Sequence, residues 1–217
     1  MARNYEEMRR IYMSGGIDEA EVAADPAEQF HRWFAEALDS SPGDWFEANA
    51  MTLATSDSLG RVAARIVLLK GFEGDSPLFY TSYDSDKGRQ LAENPAAAVC
   101  FYWSHLERQI RIEGRVEKVD PELSDRYFQS RPRGSQLGAL ASQQSAVVAS
   151  RQVLEDRVAE LDALYQGQEV PRPESWGGYR LLTHRYEFWQ GRPDRVHDRI
   201  VYLREDAGGW QRKRLSP

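Results

Sequence analysis

The chain has 217 residues, of which 41% are hydrophobic, and its 28 basic and 34 acidic side chains give a formal net charge of −6. A single cysteine excludes a disulfide framework and a cysteine-ligated zinc cluster, and the acidic balance argues against nucleic-acid binding. No apolar run reaches the ~18 residues of a membrane span, and the charged N-terminus is unlike a signal peptide. These features predict a soluble, cytoplasmic protein.

The predicted elements begin with a polar segment, residues 1–24, which we interpret as a flexible N-terminal arm that precedes a single domain over 25–217. A helix is predicted from Asp25 to about Ser41. Asp25 can cap this helix, and Pro26 suits its first position. Apolar residues then recur at helical spacing, which supports the prediction.

Beyond residue 50, short apolar runs alternate with turn residues, a pattern typical of strands. Strands are predicted over 51–56, 62–70, 78–82, 97–103, 108–119, 179–190, 197–204 and 210–215. Further helices are predicted over 84–94, 121–130 and 150–165, and 71–77 is interpreted as a loop. Because strands outnumber helices and do not alternate regularly with them, we expect a mainly β protein, an antiparallel barrel with helices packed outside.

The first segment that could carry chemistry runs from Arg65 to Lys70 and has four apolar residues between its two cations. The apolar run predicts a strand that is buried on both faces. Because side chains alternate along a strand, Arg65 and Lys70 would point to opposite faces unless a bulge intervenes, and would serve different anions, or different ends of one ligand. The alternative is that both are the solvent-reaching ends of a core strand.

Two further segments carry groups suited to phosphate. Between Tyr80 and Gly88 a strand runs into a helix start, where backbone N–H groups and Lys87 could bind a phosphate, although an ordinary capped helix has the same pattern. In the segment 127–136, a tight turn at Arg131 would bring tyrosine, arginine and serine side chains together. Hydroxyls and a guanidinium suit a phosphate monoester, and a solvated basic loop is the alternative.

The fourth segment contains Arg195, His197 and Arg199. In a strand these residues would share one face at a spacing of about 6.6–7 Å. Three basic groups in a row repel each other, so the pattern favours a bound anion over a purely structural role. The polar face of the strand over 108–119 is typical of solvent exposure, and only its Gln109 is a candidate site residue.

Together and in this order, these segments resemble the pyridoxamine 5′-phosphate oxidase family. The resemblance spans nearly the whole chain, from Arg9-Arg10-Ile11-Tyr12 to Leu215-Ser216-Pro217. The motifs that carry it are Arg65-x-Val67-Leu68-Leu69-Lys70, Tyr127-Phe128-x-Ser130-Arg131-Pro132-Arg133-x-Ser135-Gln136, Glu187-Phe188-Trp189-Gln190 and Arg195-x-His197-Asp198-Arg199. The resemblance implies an FMN-binding split β-barrel of antiparallel Greek-key type with helices packed outside, and a homodimer with FMN at its interface.

The resemblance also implies the site residues, without a metal. Those that match the family's FMN contacts are Arg65, Ile66, Val67, Leu68, Leu69, Lys70, Tyr80, Thr81, Lys87, Gln109, Gln144, Ser145, Trp189 and Arg199. Those that match its substrate contacts are Arg9, Arg10, Ile11, Tyr12, Lys70, Tyr127, Arg131, Ser135, Arg195, Val196 and His197. Arg195 and His197 are the implied catalytic pair, and residues 9–12 match an N-terminal lid. Two positions depart from the family pattern: Asp86 stands where an arginine commonly precedes Lys87, and the proline usual after the acidic residue Glu47 is absent.

The implied function is FMN-dependent oxidation of pyridoxamine and pyridoxine 5′-phosphates to pyridoxal 5′-phosphate, a step of vitamin B6 cofactor biosynthesis or salvage. Oxygen is the implied acceptor and gives hydrogen peroxide, and the amine substrate releases ammonia. One alternative is a phenazine-type flavin oxidase of secondary metabolism, which the complete set Lys70, Tyr127, Arg131 and Ser135 disfavours. The other is a non-catalytic flavin- or pyridoxal-phosphate-binding protein, which would not need the basic row at 195–199.

Overall fold

The computed structural model describes Tyr12 and residues 15–217 of the chain. The helices of this part are α1 (Pro26–Asp39), α2 (Asp86–Glu93), α3 (Pro121–Ser130), α4 (Arg133–Ala141) and α5 (Arg151–Leu164). Its strands are β1 (Ala50–Ser56), β2 (Val62–Leu68), β3 (Gly71–Glu73), β4 (Ser76–Ser82), β5 (Ala96–Trp103), β6 (Arg108–Lys118), β7 (Trp176–Gln190), β8 (Asp198–Arg204) and β9 (Trp210–Arg214). A 3₁₀ turn, Pro193–Arg195, precedes β8.

The nine strands form one sheet in the order β2-β1-β5-β6-β7-β4-β3, with β8 paired to β7 and β9 paired to β8. The pairs β3–β4, β4–β7, β7–β8 and β8–β9 are antiparallel. The long strand β7 pairs with β4 through its first half (Leu78 opposite Arg180) and with β8 through its second half (Glu187 opposite Val201). The prediction of a mainly β, antiparallel protein with several helices is confirmed.

The chain divides into two compact units. Unit 1 comprises the described residues up to Thr52, together with Val99–Glu113 and Thr183–Pro217. Unit 2 comprises Leu53–Ala98 and Gly114–Leu182. The prediction of one domain over 25–217 stays a prediction.

Unit 1 is built around the helix α1, whose predicted start is confirmed. The Asp25 side chain accepts hydrogen bonds from the backbone N–H groups of Ala27 (2.8 Å) and Glu28 (3.1 Å). The apolar face of α1 packs aromatic rings into the core, with the centroids of Phe30 and Phe101 5.1 Å apart. Helical periodicity and an N-cap therefore suffice to place this element.

The last part of the predicted N-terminal arm has defined contacts within unit 1. Ile17 and Val22 are buried. The N–H of Ile17 donates to the Asp198 carboxylate (3.1 Å), and Arg212 donates to the carbonyl of Val22 (3.1 Å). Residues 1–11 lie outside the described residues, so the lid role of residues 9–12 stays a prediction.

Two elements of unit 2 correct the sequence prediction. Residues 71–77, interpreted as a loop, contain the short strand β3, which pairs with β4 across a tight turn (Glu73 opposite Ser76). The helix α4 was not predicted, because glycines lower its helix propensity and no side chain caps its start. Leu137 of α4 is buried in a cluster with Phe128 and Leu161, and this packing stabilises the helix.

The strand β2 also differs from its prediction. Its residues alternate between exposed and half-buried, and the side chain of Ile66 is 64% exposed. The expectation of a strand buried on both faces is therefore wrong. Ile66 instead lines a cavity of unit 2, which a run of apolar residues does not reveal.

At the start of α2, we expect a single added methyl group to have a large effect on the stability of the protein. The Ser85 side chain caps this helix by accepting from the N–H of Gly88 (3.2 Å), and a Cβ at Gly88 would lie 2.1 Å from the carbonyl oxygen of Tyr83. We expect Gly88→Ala to lower the free energy of unfolding by about 1–3 kcal/mol in urea denaturation, because backbone must move. The control is Gly138→Ala in α4, where nothing lies within 4 Å of the added Cβ. This change should raise the free energy of unfolding by about 0.5–1 kcal/mol.

Candidate active site

Unit 2 contains a cavity of about 480 Å³ that collects residues far apart in sequence. It is lined by Arg65, Ile66, Val67, Leu68, Lys70, Tyr80, Thr81, Lys87, Tyr127, Arg131, Pro132, Ser135, Gln144 and Trp176. All of these except Pro132 and Trp176 are site residues predicted from the sequence. The structure therefore brings most of the predicted phosphate-binding groups to one place.

One group of cations in this cavity is formed by Arg65 and Lys87. Arg65 donates to the hydroxyl of Thr55 (2.6 Å), and the Lys87 ammonium donates to the side chains of Gln144 (2.8 Å) and Thr81 (3.2 Å). Neither forms an ion pair with a carboxylate of the described residues. Burial lowers the pKa of both, and the charge of Arg65 lowers the pKa of Lys87 further. Two like charges without a carboxylate are suited to an anion such as a phosphate.

A second group contains Lys70, Tyr127, Arg131 and Ser135. Arg131 follows α3 with an extended backbone (φ −77°, ψ 148°), as the next residue, Pro132, requires. Its Nη1 is buried and has no hydrogen-bond partner among the described residues, and burial lowers the pKa of its guanidinium. A buried donor of this kind indicates a missing acceptor, which a phosphate oxygen would supply.

This second group is assembled differently from the sequence prediction. In place of a tight turn, Ser135 lies in the first turn of α4, where its N–H donates to the carbonyl of Pro132 (2.8 Å). Arg65 and Lys70 line the same cavity, and the expectation that they serve different anions, or different ends of one ligand, stays a prediction. The strand β2 ends at Leu68, so the alternation rule does not extend to Lys70.

Asp86, one of the two departures from the family pattern, lies at the start of α2. Its side chain is 66% exposed and forms an ion pair with Arg89. Its backbone N–H donates to the Ser145 hydroxyl (3.2 Å), and Ser145 has a φ of +73°. The negative charge of Asp86 favours the charged forms of Arg65 and Lys87. Its effect on the cavity is therefore a long-range attraction of cations and not a contact.

Three of the remaining predicted residues meet in unit 1. The ring centroid of Tyr12 lies 5.7 Å from Trp189 and 5.5 Å from His197, and those two rings are 4.7 Å apart. The Nδ1 atom of His197 accepts from the N–H of Arg192 (3.1 Å). This hydrogen bond places the proton of a neutral imidazole on Nε2, which leaves Nε2 as a donor.

The expectation that Arg195, His197 and Arg199 share one strand face is wrong. The strand β8 begins only at Asp198, and Arg195 lies in the preceding 3₁₀ turn with a φ of +63°. The ladder between β7 and β8 ends at the pair Gln190 and Asp198, so nothing extends the strand beyond it. A residue other than glycine is strained in this backbone conformation, and strain of this kind is concentrated at functional sites.

Arg199 is held by a buried carboxylate, Glu187, which belongs to a motif quoted above but was not among the predicted site residues. Glu187 is 2% exposed and accepts from Nε (2.9 Å) and Nη2 (2.8 Å) of Arg199, and its other oxygen accepts from Arg185 (2.6 Å). Arg199 also donates to the carbonyl of Ser216 (2.9 Å). An acidic residue between the apolar residues of a central strand is the signal that could have identified Glu187.

Some predicted site residues do not line the cavity of unit 2. In unit 2 these are Leu69, which is buried, and Ser145. In unit 1 they are Tyr12, Gln109, Trp189, Arg195, Val196, His197 and Arg199. Arg9, Arg10 and Ile11 lie outside the described residues. No group of three or more histidine, cysteine, aspartate or glutamate residues within the described part could hold a metal, and no helix there has the length and apolarity to cross a membrane.

The fold is that of the flavin-binding split β-barrels. A pyridoxamine 5′-phosphate oxidase-related, FMN-binding protein from Nostoc punctiforme PCC 73102 has the same fold, with a TM-score of 0.69 and 20% identity over 87% of this chain and 97% of that chain. The structure of PhzG from Burkholderia lata 383, in complex with tetrahydrophenazine-1-carboxylic acid, is also similar. It has a TM-score of 0.84 and 32% identity over 91% of this chain and 95% of that one.

Within this class, sequence comparison identifies the family. Residues 44–165 match the profile described as Pyridoxamine 5′-phosphate oxidase, and residues 176–217 match that of the Pyridoxine 5′-phosphate oxidase C-terminal dimerisation region. The pyridoxine/pyridoxamine 5′-phosphate oxidase of Rhodopirellula baltica is 53% identical over 98% of this chain and 96% of its own length. That of Synechocystis sp. is 52% identical over 97% of both chains. The chain belongs to the pyridoxamine 5′-phosphate oxidase family, and the prediction that it is an oxidoreductase is confirmed.

Proposed function

We propose that this protein oxidises pyridoxamine 5′-phosphate and pyridoxine 5′-phosphate to pyridoxal 5′-phosphate, with FMN as its cofactor and oxygen as the final acceptor. Each turnover would convert oxygen to hydrogen peroxide, and the amine substrate would consume water and release ammonia. The observation that carries the proposal is the convergence of two cation groups on one cavity, without a carboxylate partner in the described chain. Two phosphate esters, one on the cofactor and one on the substrate, fit these two groups.

The residues of the first group fit the phosphate of FMN. Arg65 and Lys87 would bind the phosphate, and Thr81 and Gln144, which already contact Lys87, would complete the site. The chemistry that FMN supplies when bound is two-electron oxidation of the substrate carbon, followed by reoxidation with oxygen. The chain lacks a Gly-rich pyrophosphate-binding fingerprint, which favours FMN over FAD.

The residues of the second group fit the phosphate of the substrate. Lys70 and Arg131 would supply charge, and Tyr127 and Ser135 would supply hydroxyl donors. Arg195 and His197 would cover the substrate and hold its reacting carbon against the cofactor. A homodimer with FMN at its interface is supported by the match of residues 176–217 to a dimerisation region, since that region contains the predicted ligands Trp189 and Arg199.

The proposed FMN cofactor and homodimer lead to one prediction. We expect the protein to purify yellow, with FMN as the flavin that is released on denaturation, and to elute as a dimer. The single phosphate of FMN matches the pair Arg65 and Lys87. Chromatography of the released flavin and light scattering of the holoprotein check both statements. Release of FAD, or a stable yellow monomer, would contradict them.

The reaction is tested by anaerobic addition of substrate to the yellow protein. Pyridoxamine 5′-phosphate should bleach the flavin absorbance, and readmitted oxygen should restore it with equal amounts of pyridoxal 5′-phosphate and hydrogen peroxide. Pyridoxamine without its phosphate is the control and should bleach much more slowly. Bleaching by a reduced phenazine precursor alone would support the phenazine-type alternative, and binding without bleaching would support a carrier.

The charge of Asp86 leads to a prediction with a smaller expected effect. Its exposed carboxylate lies one residue before Lys87, so its charge opposes that of a bound phosphate. We expect Asp86→Asn to tighten FMN by less than 10-fold at low salt, and the gain should vanish at high salt, because exposed charges are screened. Fluorescence titration of the apoprotein with FMN measures this effect. Glu93→Gln, at the other end of α2, is the matched control.

A further inference from the structure

Trp176, the first residue of β7, lines the cavity beside Arg131, although no sequence motif singled it out. The guanidinium carbon of Arg131 lies 4.7 Å from the ring centroid of Trp176 and 5.7 Å from that of Phe128. Indole is the aromatic group that attracts a cation most strongly. Since Arg131 has no ion pair with a described carboxylate, these aromatic faces are the contacts that hold its charged end.

Trp176 is itself fixed in place. Its side chain is buried against Phe128, with ring centroids 5.2 Å apart, and its carbonyl accepts from Arg172 (2.7 Å). The next residue, Gly177, packs closely against the Tyr83 side chain, because a Cβ there would lie 2.1 Å from the Tyr83 hydroxyl. The indole is therefore a rigid surface on which a flexible arginine side chain is ordered.

The same indole belongs to a stack of aromatic rings in the cavity. The Tyr127 ring lies parallel to Trp176, with an interplanar angle of 9° and centroids 6.1 Å apart. Tyr80 stacks on both, at 3.9 Å from Tyr127 and 5.6 Å from Trp176. Trp176 thus contacts two residues of the substrate-phosphate group, Arg131 through its charge and Tyr127 through the stack.

We propose that Trp176 is a positioning residue that orders Arg131 and Tyr127 for the phosphate of the substrate, an inference that rests on the proposed function. A free arginine side chain loses rotamer freedom when it binds a ligand, and this loss weakens binding. An indole face that orders the guanidinium beforehand removes part of this loss. Trp176 then contributes to the affinity for phosphorylated substrates without touching the reacting atoms.

The test compares Trp176→Phe, which keeps an aromatic face, with Trp176→Leu, which keeps apolar bulk only. The ligand is 4-deoxypyridoxine 5′-phosphate, which lacks the oxidisable group, titrated into the FMN-loaded protein by calorimetry. We expect the leucine variant to bind it about 10- to 30-fold more weakly and the phenylalanine variant less than 3-fold more weakly. In turnover assays the leucine variant should show a raised KM with kcat within about twofold.

Three controls separate positioning from general packing. Unphosphorylated 4-deoxypyridoxine should bind all variants alike. Trp210→Leu, which removes another indole stacked on an arginine (Arg204, 4.3 Å), should leave binding unchanged. Adding Trp176→Leu to Arg131→Ala should weaken binding by clearly less than Trp176→Leu does in the wild type, because the contact with Arg131 is already lost and only the ordering of Tyr127 remains.

Equal losses in the leucine and phenylalanine variants, or a loss that adds fully to that of Arg131→Ala, would overturn the positioning role. If the leucine variant does not fold, Trp176→Met provides the same comparison with phenylalanine. A wild-type protein that binds the phosphorylated analogue but oxidises neither B6 phosphate would instead refute the proposed function, and the binding comparison would still decide the role of Trp176.

Discussion

Replacing Arg131 with alanine should raise KM for pyridoxamine 5′-phosphate by about 30- to 150-fold and change kcat little. The proposed role of Arg131 is to bind a phosphate that is unchanged by the reaction, so its contact is equally strong in the ground and transition states. The loss of a charge-assisted contact of this kind costs roughly 2–3 kcal/mol. The buried Nη1 without an acceptor and the absence of an ion pair within the described chain make the phosphate its expected partner.

Steady-state kinetics over a wide range of substrate concentration measures KM and kcat separately. Arg126→Ala, an exposed arginine on α3 that does not line the cavity, is the matched control and should leave both constants unchanged. The FMN content of Arg131→Ala should equal that of the wild type, because Arg65 and Lys87 remain. A fall in kcat at an unchanged KM would show that Arg131 acts on the chemical step.

Replacing Arg195 should lower the limiting rate of flavin reduction at saturating substrate, by about 100-fold. Arg195 is proposed to hold the reacting carbon against the cofactor, and misplacement of a reacting atom by about 1 Å costs a factor of this size. The backbone of Arg195 is strained, with a φ of +63°, and this conformation determines the position of its Cβ atom. Anaerobic stopped-flow reduction at several concentrations of pyridoxamine 5′-phosphate separates this rate from binding.

Two variants distinguish the side chain from the backbone at this position. Arg195→Gly removes the side chain and suits the positive φ, whereas Arg195→Ala leaves the backbone strained. If the guanidinium is what matters, both variants should be reduced slowly and at similar limiting rates. A wild-type limiting rate in either variant would refute the assignment of Arg195 to the reacting centre.

The elements predicted well are those whose signals are local. The cap at Asp25 and the helical spacing after it determine α1, and Pro121 marks the start of α3. The elements predicted wrongly depend on distant partners. The helix α4 is stabilised by the packing of Leu137 into a cluster, and the exposed Ile66 lines a cavity that residues distant in sequence form.

The amino-acid sequence by itself determined the class of fold, the types of binding group and, through ordered motifs, the family, because these depend on residue identity and spacing. Only the tertiary structure decided that Arg65 and Lys70 line one cavity, that Arg195 lies in a strained turn, and that Trp176 stacks on Arg131. Strand alternation and helical periodicity hold only within an element. Where a strand ends, and which side chain meets which from a distant segment, is set by hydrogen-bond pairing and close packing across the chain.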